Sequence, residues 1–133
     1  MADFDGREVF KKTIYAEARG EPEVGQKWVA WVIKNRALLN RSYWGGSSIK
    51  KVCLHPNQFE CWNGKSNIEI NEPEAYNRIS KWADAVYDAP QKDDPTGGCD
   101  HYYNPSKEKK EPDWVKNCEE REKIGAHQFY KSK

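Results

Sequence analysis

Apolar residues recur every three or four positions in three segments of the chain, which is the spacing of one face of an α-helix. These segments predict helices over residues 5–19, 24–40 and 73–89. The first helix can begin at Asp5, whose carboxylate can accept hydrogen bonds from the free N–H groups of the first turn. It should end at Gly20, because glycine is the usual residue just past a helix C-terminus.

The second and third predicted helices differ in how their apolar residues are distributed. The second is apolar on nearly all sides, which is typical of a helix packed against several neighbours, so we expect it to be the central one. The third has a single apolar face, and it should be capped by Asn71 and stopped by Pro90. The apolar residues of the second helix are Trp28, Val29, Trp31, Val32 and Ile33.

The remaining segments predict loops and short strands. Residues 41–65 contain several glycines and a proline, and could include one or two short strands. Strands are predicted at 100–103 and 126–130, separated by the hydrophilic segment SKEKKEPD (106–113), which should be exposed. The chain has no repeat and no recognisable linker, so residues 1–133 are predicted to form one domain. The fold class is therefore α+β, mainly α, with a small β-hairpin.

The composition argues against several classes of partner. Lys and Arg number 22 and Asp and Glu number 21, so no overall field attracts nucleic acid or an anionic membrane. The longest apolar run, residues 28–33, is far shorter than the ~20 residues of a membrane-spanning helix. Six Trp, seven Tyr and four Phe supply apolar area for a core, and such aromatic residues also suit a carbohydrate-binding groove.

An even number of cysteines in a small domain favours disulfides and an oxidising compartment. We favour pairing Cys53 with Cys61, which bracket a short loop, and Cys99 with Cys118, which bracket the segment 105–112. The alternative is four free thiols in a cytosolic protein.

The same cysteines offer a metal-binding alternative. Residues 53–55 and 99–101 each place a thiol and an imidazole two positions apart. Zinc sites usually have tighter motifs of two cysteines or two histidines, so we expect no metal and no cofactor.

The first ten residues, MADFDGREVF, are charged and lack the apolar stretch of a signal peptide. Either the chain is a mature secreted domain with an added initiator methionine, or it is cytosolic. We favour the secreted form.

Glu17 is the strongest candidate for chemistry because it lies among apolar and small residues. Helical geometry places it beside the buried stripe formed by Phe10, Ile14 and Ala18. Burial penalises the charged form of a carboxyl group and raises its pKa, so such a group can keep a proton and donate it to a leaving group. Cleavage of a glycosidic bond requires such an acid. A surface residue or a structural ion-pair partner is the alternative interpretation of a mid-helix glutamate.

Four sequence blocks resemble, in order, the SleB/CwlJ-type cell wall hydrolases, a family that includes the spore cortex-lytic enzymes. They are IYAEARGEPEVGQKWVAWVIKNR (14–36), VCLHPNQFECW (52–62), DPTGGCDHYYNP (94–105) and IGAHQFYK (124–131). The resemblance implies a helical fold similar to lysozymes and lytic transglycosylases. It also implies peptidoglycan glycan strands as the substrate. We expect the protein to be a monomer that needs no cofactor. The four cysteines and the SKEKKEPD segment depart from the spore enzymes and suggest a secreted relative.

The resemblance also implies roles for particular residues. The first glutamate of the EARGE block, the general acid of the family, corresponds to Glu17. Glu21 of the same block could orient a sugar or water, or only cap the turn. The other residues expected to line the groove are Gln58, Phe59, Tyr103, Asn104 and His127. Core packing is the alternative role for Phe59, a loop hydrogen bond for Gln58, and a structural role for His127.

Two outcomes are open for the reaction itself. Attack by the sugar's own 6-hydroxyl would need one carboxyl group and yield a 1,6-anhydro product, whereas attack by water would need a second carboxylate, for which Glu21 or Glu60 is available. A different class of function is a non-catalytic glycan-binding module that stacks sugars on Trp44, Trp62 and Trp114. A disulfide-stabilised toxin or signalling protein without a sugar ligand is a third possibility.

Overall fold

The computed structural model of the protein describes residues 5–56, 58–65 and 67–133. The chain is mainly helical with a small sheet, so the predicted fold class is confirmed. The four α-helices are α1 (Gly6–Ala18), α2 (Glu23–Leu39), α3 (Ile49–Leu54) and α4 (Pro73–Asp88). The three strands are β1 (His101–Tyr103), β2 (Cys118–Ile124) and β3 (His127–Ser132). Short 3₁₀ turns lie at Ser42–Trp44, Glu60–Trp62, Gln91–Asp93 and Asp113–Asn117.

The three predicted helices are confirmed as α1, α2 and α4. At the start of α1, the Asp5 carboxylate accepts a hydrogen bond from the backbone N–H of Glu8 at 2.8 Å, as its capping pattern predicts. The predicted cap of α4 is wrong by one position, because Glu72 rather than Asn71 precedes the helix. Pro73 then occupies the first helical position, where its missing N–H has no intrahelical partner to lose.

Helix α2 forms the centre of the core, as its apolar faces predict. Its buried residues run almost without interruption from Gly25 to Ala37, and it packs against α1, α3 and α4. Among the residues that the structure describes, no helix is both long and apolar enough to cross a bilayer.

The sheet has three antiparallel strands in the order β1-β3-β2, not the two-stranded hairpin that was predicted. The predicted strands correspond to β1 and β3, with Tyr102 opposite Phe129. Strand β2 has the sequence CEEREKI and lies on the edge of the sheet, with its five central side chains exposed. It therefore lacks the apolar alternation by which strands are recognised.

The prediction of short strands within residues 41–65 is wrong, because the described part of this segment contains α3 and two 3₁₀ turns. Ser48 caps α3 by accepting a hydrogen bond from the N–H of Lys51. Val52 and Cys53 of this short helix enter the core. The exposed SKEKKEPD segment is confirmed: its residues are exposed except Pro112, which is half-buried.

The predicted disulfides are wrong, because all four cysteines are free thiols. Cys53 is fully buried in the core, where burial raises the pKa of its thiol to about 12. The Cys99 thiol donates instead to the carbonyl of Thr96, and Cys118 lies 3.8 Å from His101 Nδ1. The thiols are therefore used in local packing, and the cysteine count gives no support to an oxidising compartment.

One buried cation connects α2 to the end of α4. The Lys34 ammonium donates hydrogen bonds to the carbonyls of Val86 and Ala89 at the end of α4, where carbonyls lack the donors of a further helical turn. The Val86 carbonyl also accepts from the N–H of Ala89. Desolvation lowers the pKa of Lys34, but the two carbonyls satisfy its charge and match the negative end of the helix dipole.

Replacing Lys34 with methionine should therefore lower the free energy of unfolding by about 2 kcal/mol, because two charge-assisted hydrogen bonds are lost. The Val86 carbonyl keeps the Ala89 N–H as a donor, whereas the Ala89 carbonyl loses its only donor among the described residues. Urea denaturation measures the change. The control is Lys81→Met, at an exposed position of α4, which should stay within about 0.5 kcal/mol of the wild type. Equal stability of the two variants would contradict the capping role of Lys34.

Candidate active site

A cleft of about 300 Å³ opens where the end of α1, the loop after α3 and the sheet meet. Its walls carry Glu17 from α1, Gln58 and Glu60 from the loop, and side chains from β1 and β3. The cleft continues into a wider groove of about 730 Å³ bordered by residues 107–114. The cleft and the groove share six lining residues: Gln58, Glu60, Tyr102, Tyr103, Lys107 and Glu108. Glu17 therefore lines a cleft that opens into a larger groove.

Burial and hydrogen bonding shift the pKa of the Glu17 carboxyl group in opposite directions. Desolvation is the largest effect and raises its pKa, and the negative charge of Glu60 acts in the same direction. Hydrogen bonds from Tyr102 and Cys61 and the positive charge of Arg36 oppose this rise. Since the net shift is upward, Glu17 retains its proton to higher pH than an exposed glutamate does.

Tyr102 of β1 is the closest partner of the Glu17 carboxyl group. Its hydroxyl donates to Glu17 Oε1 at 2.6 Å, which is the length of a charge-assisted O–H···O bond. Burial and the neighbouring carboxylate raise the pKa of Tyr102 well above its ordinary value, so the phenol keeps its proton and remains a donor. This bond fixes the position of Glu17 Oε1 at the wall of the cleft.

Arg36 of α2 supports the cleft from behind. Its buried guanidinium donates from Nε to the carbonyl of Asp100 at 2.8 Å and from Nη1 to Gln58 Oε1 at 3.2 Å. It also lies over the rings of Trp44 and Phe59, at 5.1 and 5.5 Å from their centroids. One side chain thereby connects the loop that carries Gln58 to the strand that carries Tyr102.

The structure brings together five of the seven residues that the sequence suggested for the site. Glu17, Gln58, Tyr103, Asn104 and His127 all line the cleft. Phe59 does not line it, because its side chain is only 3% exposed and packs in the core beneath Arg36. Glu21 also lies outside the lining.

Glu21 holds the turn between β2 and β3. Its Oε1 accepts a hydrogen bond from the backbone N–H of Ala126 at 2.9 Å. The preceding residue, Gly125, has a φ of 58°, and a side chain there would collide with the Glu21 carboxylate. Because His127 follows this turn, Glu21 positions the start of β3 beside the cleft.

His127 presents an aromatic and polar surface to the cleft. Its ring lies 4.8 Å from that of Tyr102, and desolvation lowers its pKa, so the imidazole is neutral near neutral pH. Its buried Nδ1 has no hydrogen-bond partner within the described part of the chain.

The three tryptophans proposed for sugar stacking are not equivalent. Trp44 and Trp62 are each 5% exposed and belong to the core. The Trp62 indole N–H donates to Thr13 Oγ1 at 2.8 Å. Trp114 borders the wider groove, so it is the one of the three that a ligand can reach there.

The Cys-x-His pairs do not assemble into a metal site in the described residues. His101 Nδ1 lies 2.8 Å from a carboxylate oxygen of Asp100, and no cluster of three or more His, Cys, Asp or Glu side chains there has the spacing of a metal centre.

Comparison with known proteins assigns the family. The sequence model of the cell wall hydrolase family matches residues 20–130. The chain belongs to this family. The matched segment starts three residues after Glu17, so the case for Glu17 itself rests on the geometry of the cleft.

Curated members of the cell wall hydrolase family resemble nearly the whole chain. It is 33% identical over 122 residues to the spore cortex-lytic enzyme of Halalkalibacterium halodurans, and 31% identical over 125 residues to that of Bacillus cereus. These alignments cover 92% and 93% of the chain but only 33% and 43% of the two relatives. The chain therefore spans between a third and a half of the length of these relatives.

Solved structures of cell wall hydrolases match the fold. The catalytic domain of the germination-specific lytic transglycosylase SleB from Bacillus anthracis superimposes with a TM-score of 0.69 at 28% identity, over 97% of this chain and 98% of that domain. The catalytic domain of Bacillus cereus SleB gives a TM-score of 0.68 at 29% identity, over 95% and 89%. The chain thus has the extent and the fold of a SleB catalytic domain.

Two residues of this cell wall hydrolase site were missed by the sequence reasoning. The first is Tyr102, which is adjacent to Tyr103 in the YYN block, and the sequence does not show which of the two hydroxyls reaches Glu17. The second is Arg36. Arg36 was missed because a single arginine in a helix is ordinarily a surface residue. Its position in the most apolar helix of the chain was the available signal.

The Glu21 contact predicts different outcomes for two substitutions. Glu21→Gln should keep the rate of cell wall clearing within about threefold of the wild type, since an amide oxygen can still accept a hydrogen bond from the Ala126 N–H. Glu21→Ala should lower it by about tenfold, because the turn that positions His127 loses its anchor. Turbidity clearing of purified bacterial cell walls measures both. If Glu21→Gln is as inactive as Glu21→Ala, Glu21 acts as a carboxylate and not as an anchor.

Proposed function

We propose that this chain is a glycosidase domain that cleaves peptidoglycan glycan strands, with Glu17 as the general acid. The observation that carries the proposal is a glutamate with a raised pKa in an open groove, hydrogen-bonded on one oxygen by Tyr102. Family membership and the likeness to a lytic transglycosylase domain support the same reaction class.

The proposed reaction is lytic transglycosylation after N-acetylmuramic acid. Glu17 donates its carboxyl proton to the glycosidic oxygen as the bond from that oxygen to the sugar C1 breaks. The 6-hydroxyl of the same sugar then attacks C1, and its proton passes to the Glu17 carboxylate. The product is a 1,6-anhydro sugar, and the acid is restored without a second carboxylate. The Tyr102 hydroxyl stabilises Glu17 while the carboxylate carries its charge.

Lysozyme-like hydrolysis is the second candidate, and the position of Glu60 favours it. Glu60 lines the same cleft as Glu17, and the two charges interact, so it could activate a water. Glu21 suits that role less well, because its carboxylate is bonded to the β2–β3 turn.

The substrate is proposed to lie along the groove from Glu17 towards Trp114, as one glycan strand bound to a monomer. A cell wall substrate places the protein outside the cytoplasm, and we propose secretion on this ground. A non-catalytic binding module has less support, because of the three candidate tryptophans only Trp114 borders the groove.

Glu17→Gln should lower the rate of wall cleavage by at least about a hundredfold, because the amide cannot donate the acid proton. The measurement is turbidity clearing combined with mass spectrometry of the released fragments. The matched control is Glu60→Gln, which should leave transglycosylation within about threefold of the wild type. Anhydro ends support transglycosylation, whereas reducing ends together with an inactive Glu60→Gln variant would establish hydrolysis instead. A Glu17→Gln variant with full activity would contradict both.

Tyr102→Phe should move the alkaline limb of the pH–activity profile to higher pH. The hydrogen bond from Tyr102 favours the charged form of Glu17, so its loss raises the pKa of Glu17 further. Since activity requires the protonated acid, it would then persist to higher pH than in the wild type. The maximal rate should fall by about tenfold, because the carboxylate formed on proton donation loses its donor. An alkaline limb that stays in place or moves to lower pH would contradict this coupling.

A further inference from the structure

Two amide side chains lie in the cleft beside Glu17, and the protein fixes the orientation of both. The first is Gln58, whose Oε1 accepts a hydrogen bond from Arg36 Nη1 at 3.2 Å. A guanidinium group has only donors, so the atom that faces it must be the amide oxygen. Because Arg36 is buried behind the loop, the Gln58 oxygen points inward and its NH₂ group remains for the cleft.

Asn104 is held in the same sense by a different partner. Its Oδ1 accepts from the backbone N–H of Ser106 at 3.0 Å and from the Ser106 hydroxyl at 2.6 Å. A backbone N–H can only donate, so the oxygen of Asn104 is again the atom that is occupied.

Neither NH₂ group has a hydrogen-bond partner among the described residues, although both side chains line the cleft. Lys107, which can only donate through its ammonium, lines the same wall. A ligand that lies between Gln58 and Asn104 therefore meets donors and must supply acceptors.

We propose that Gln58 and Asn104 determine specificity by requiring acceptor groups on the sugars next to the cleavage point, and that the acetamido carbonyl is the group they bind. This inference rests on the proposed glycan substrate. The carbonyl oxygen of an N-acetyl group is an acceptor only, so it complements an NH₂ group that has no other partner. A sugar whose amine is free carries an ammonium at that position, which has three donors and no acceptor, so neither amide NH₂ group can bond to it.

The cleft also carries carboxylates, which could attract such an ammonium. Glu60 and Glu108 line it, but both side chains are exposed, so solvent and salt screen their charges. Gln58 and Asn104 are half-buried, where an unsatisfied donor is more costly. The amides should therefore dominate, and N-deacetylated glycan should be a poor ligand.

The test measures binding, which does not depend on cleavage. A tetrasaccharide of alternating N-acetylglucosamine and N-acetylmuramic acid is titrated calorimetrically into the Glu17→Gln variant, and so is the same tetrasaccharide after its acetyl groups have been removed. The acetylated form should bind at least about tenfold more tightly, the difference expected from one or two hydrogen bonds.

Two further substitutions in the Glu17→Gln background locate the preference. Gln58→Glu and Asn104→Asp keep an oxygen towards Arg36 and Ser106 but replace the NH₂ group with a second acceptor. Each should weaken binding of the acetylated tetrasaccharide by about tenfold and reduce the preference to about twofold or less. Asn77→Asp, at an exposed position of α4, is the matched control and should change neither value.

Equal binding of the two tetrasaccharides, tighter binding of the deacetylated one, no binding of either, or a preference that survives both substitutions would overturn the inference. Wall cleavage by the wild type separates this result from the proposed function. A protein that has the preference but cleaves no wall contradicts the catalysis alone. A protein that cleaves acetylated and deacetylated walls equally well contradicts the specificity alone.

Discussion

The structure depends on keeping one carboxyl group largely out of water while leaving it open to a ligand. Glu17 meets this condition because it follows the apolar stripe of α1: Ile14 is fully buried and Ala18 is 2% exposed, so the helix cannot rotate to expose the residue between them. Desolvation alone would raise the pKa of Glu17 further, so the group would hold its proton more firmly. Hydrogen bonds from Tyr102 and Cys61 stabilise the charged form of Glu17. They limit the rise in its pKa that burial causes.

Arg36 acts on the charge of Glu17 and also holds other parts of the cleft. A buried arginine ordinarily needs a carboxylate partner, because desolvation of a charge is expensive. No such ion pair is present among the described residues; carbonyl and amide oxygens and two aromatic faces hold the guanidinium instead. Its charge therefore remains available to act on Glu17, and the same bonds fix Gln58 and strand β1. The central helix α2 thus supports the cleft without lining it.

The sequence allowed prediction wherever burial leaves a periodic pattern. Helices α1, α2 and α4 were predicted from their apolar residues, and Glu17 stood out because it interrupts such a pattern. Strand β2 could not be found, since an edge strand that pairs only with β3 needs no apolar face. The thiol pairings failed because sequence spacing does not give the direction in which a cysteine points. Likewise, Tyr102 and Phe59 differ from their neighbours only in the tertiary position that the fold gives them.

The exposed SKEKKEPD segment illustrates how a solvated loop becomes a wall of the groove. Its three lysines are matched by three acidic residues, so charge does not fix it in place. Its ends do. Asn104 and Ser106 are bonded to each other at the start, and at the far end Trp114 packs against His101 and Tyr130 of the sheet, at 4.6 and 5.2 Å. Because both anchors lie beside β1, the strand that carries Tyr102 also orients the loop, so the acid and the groove wall are positioned by the same element.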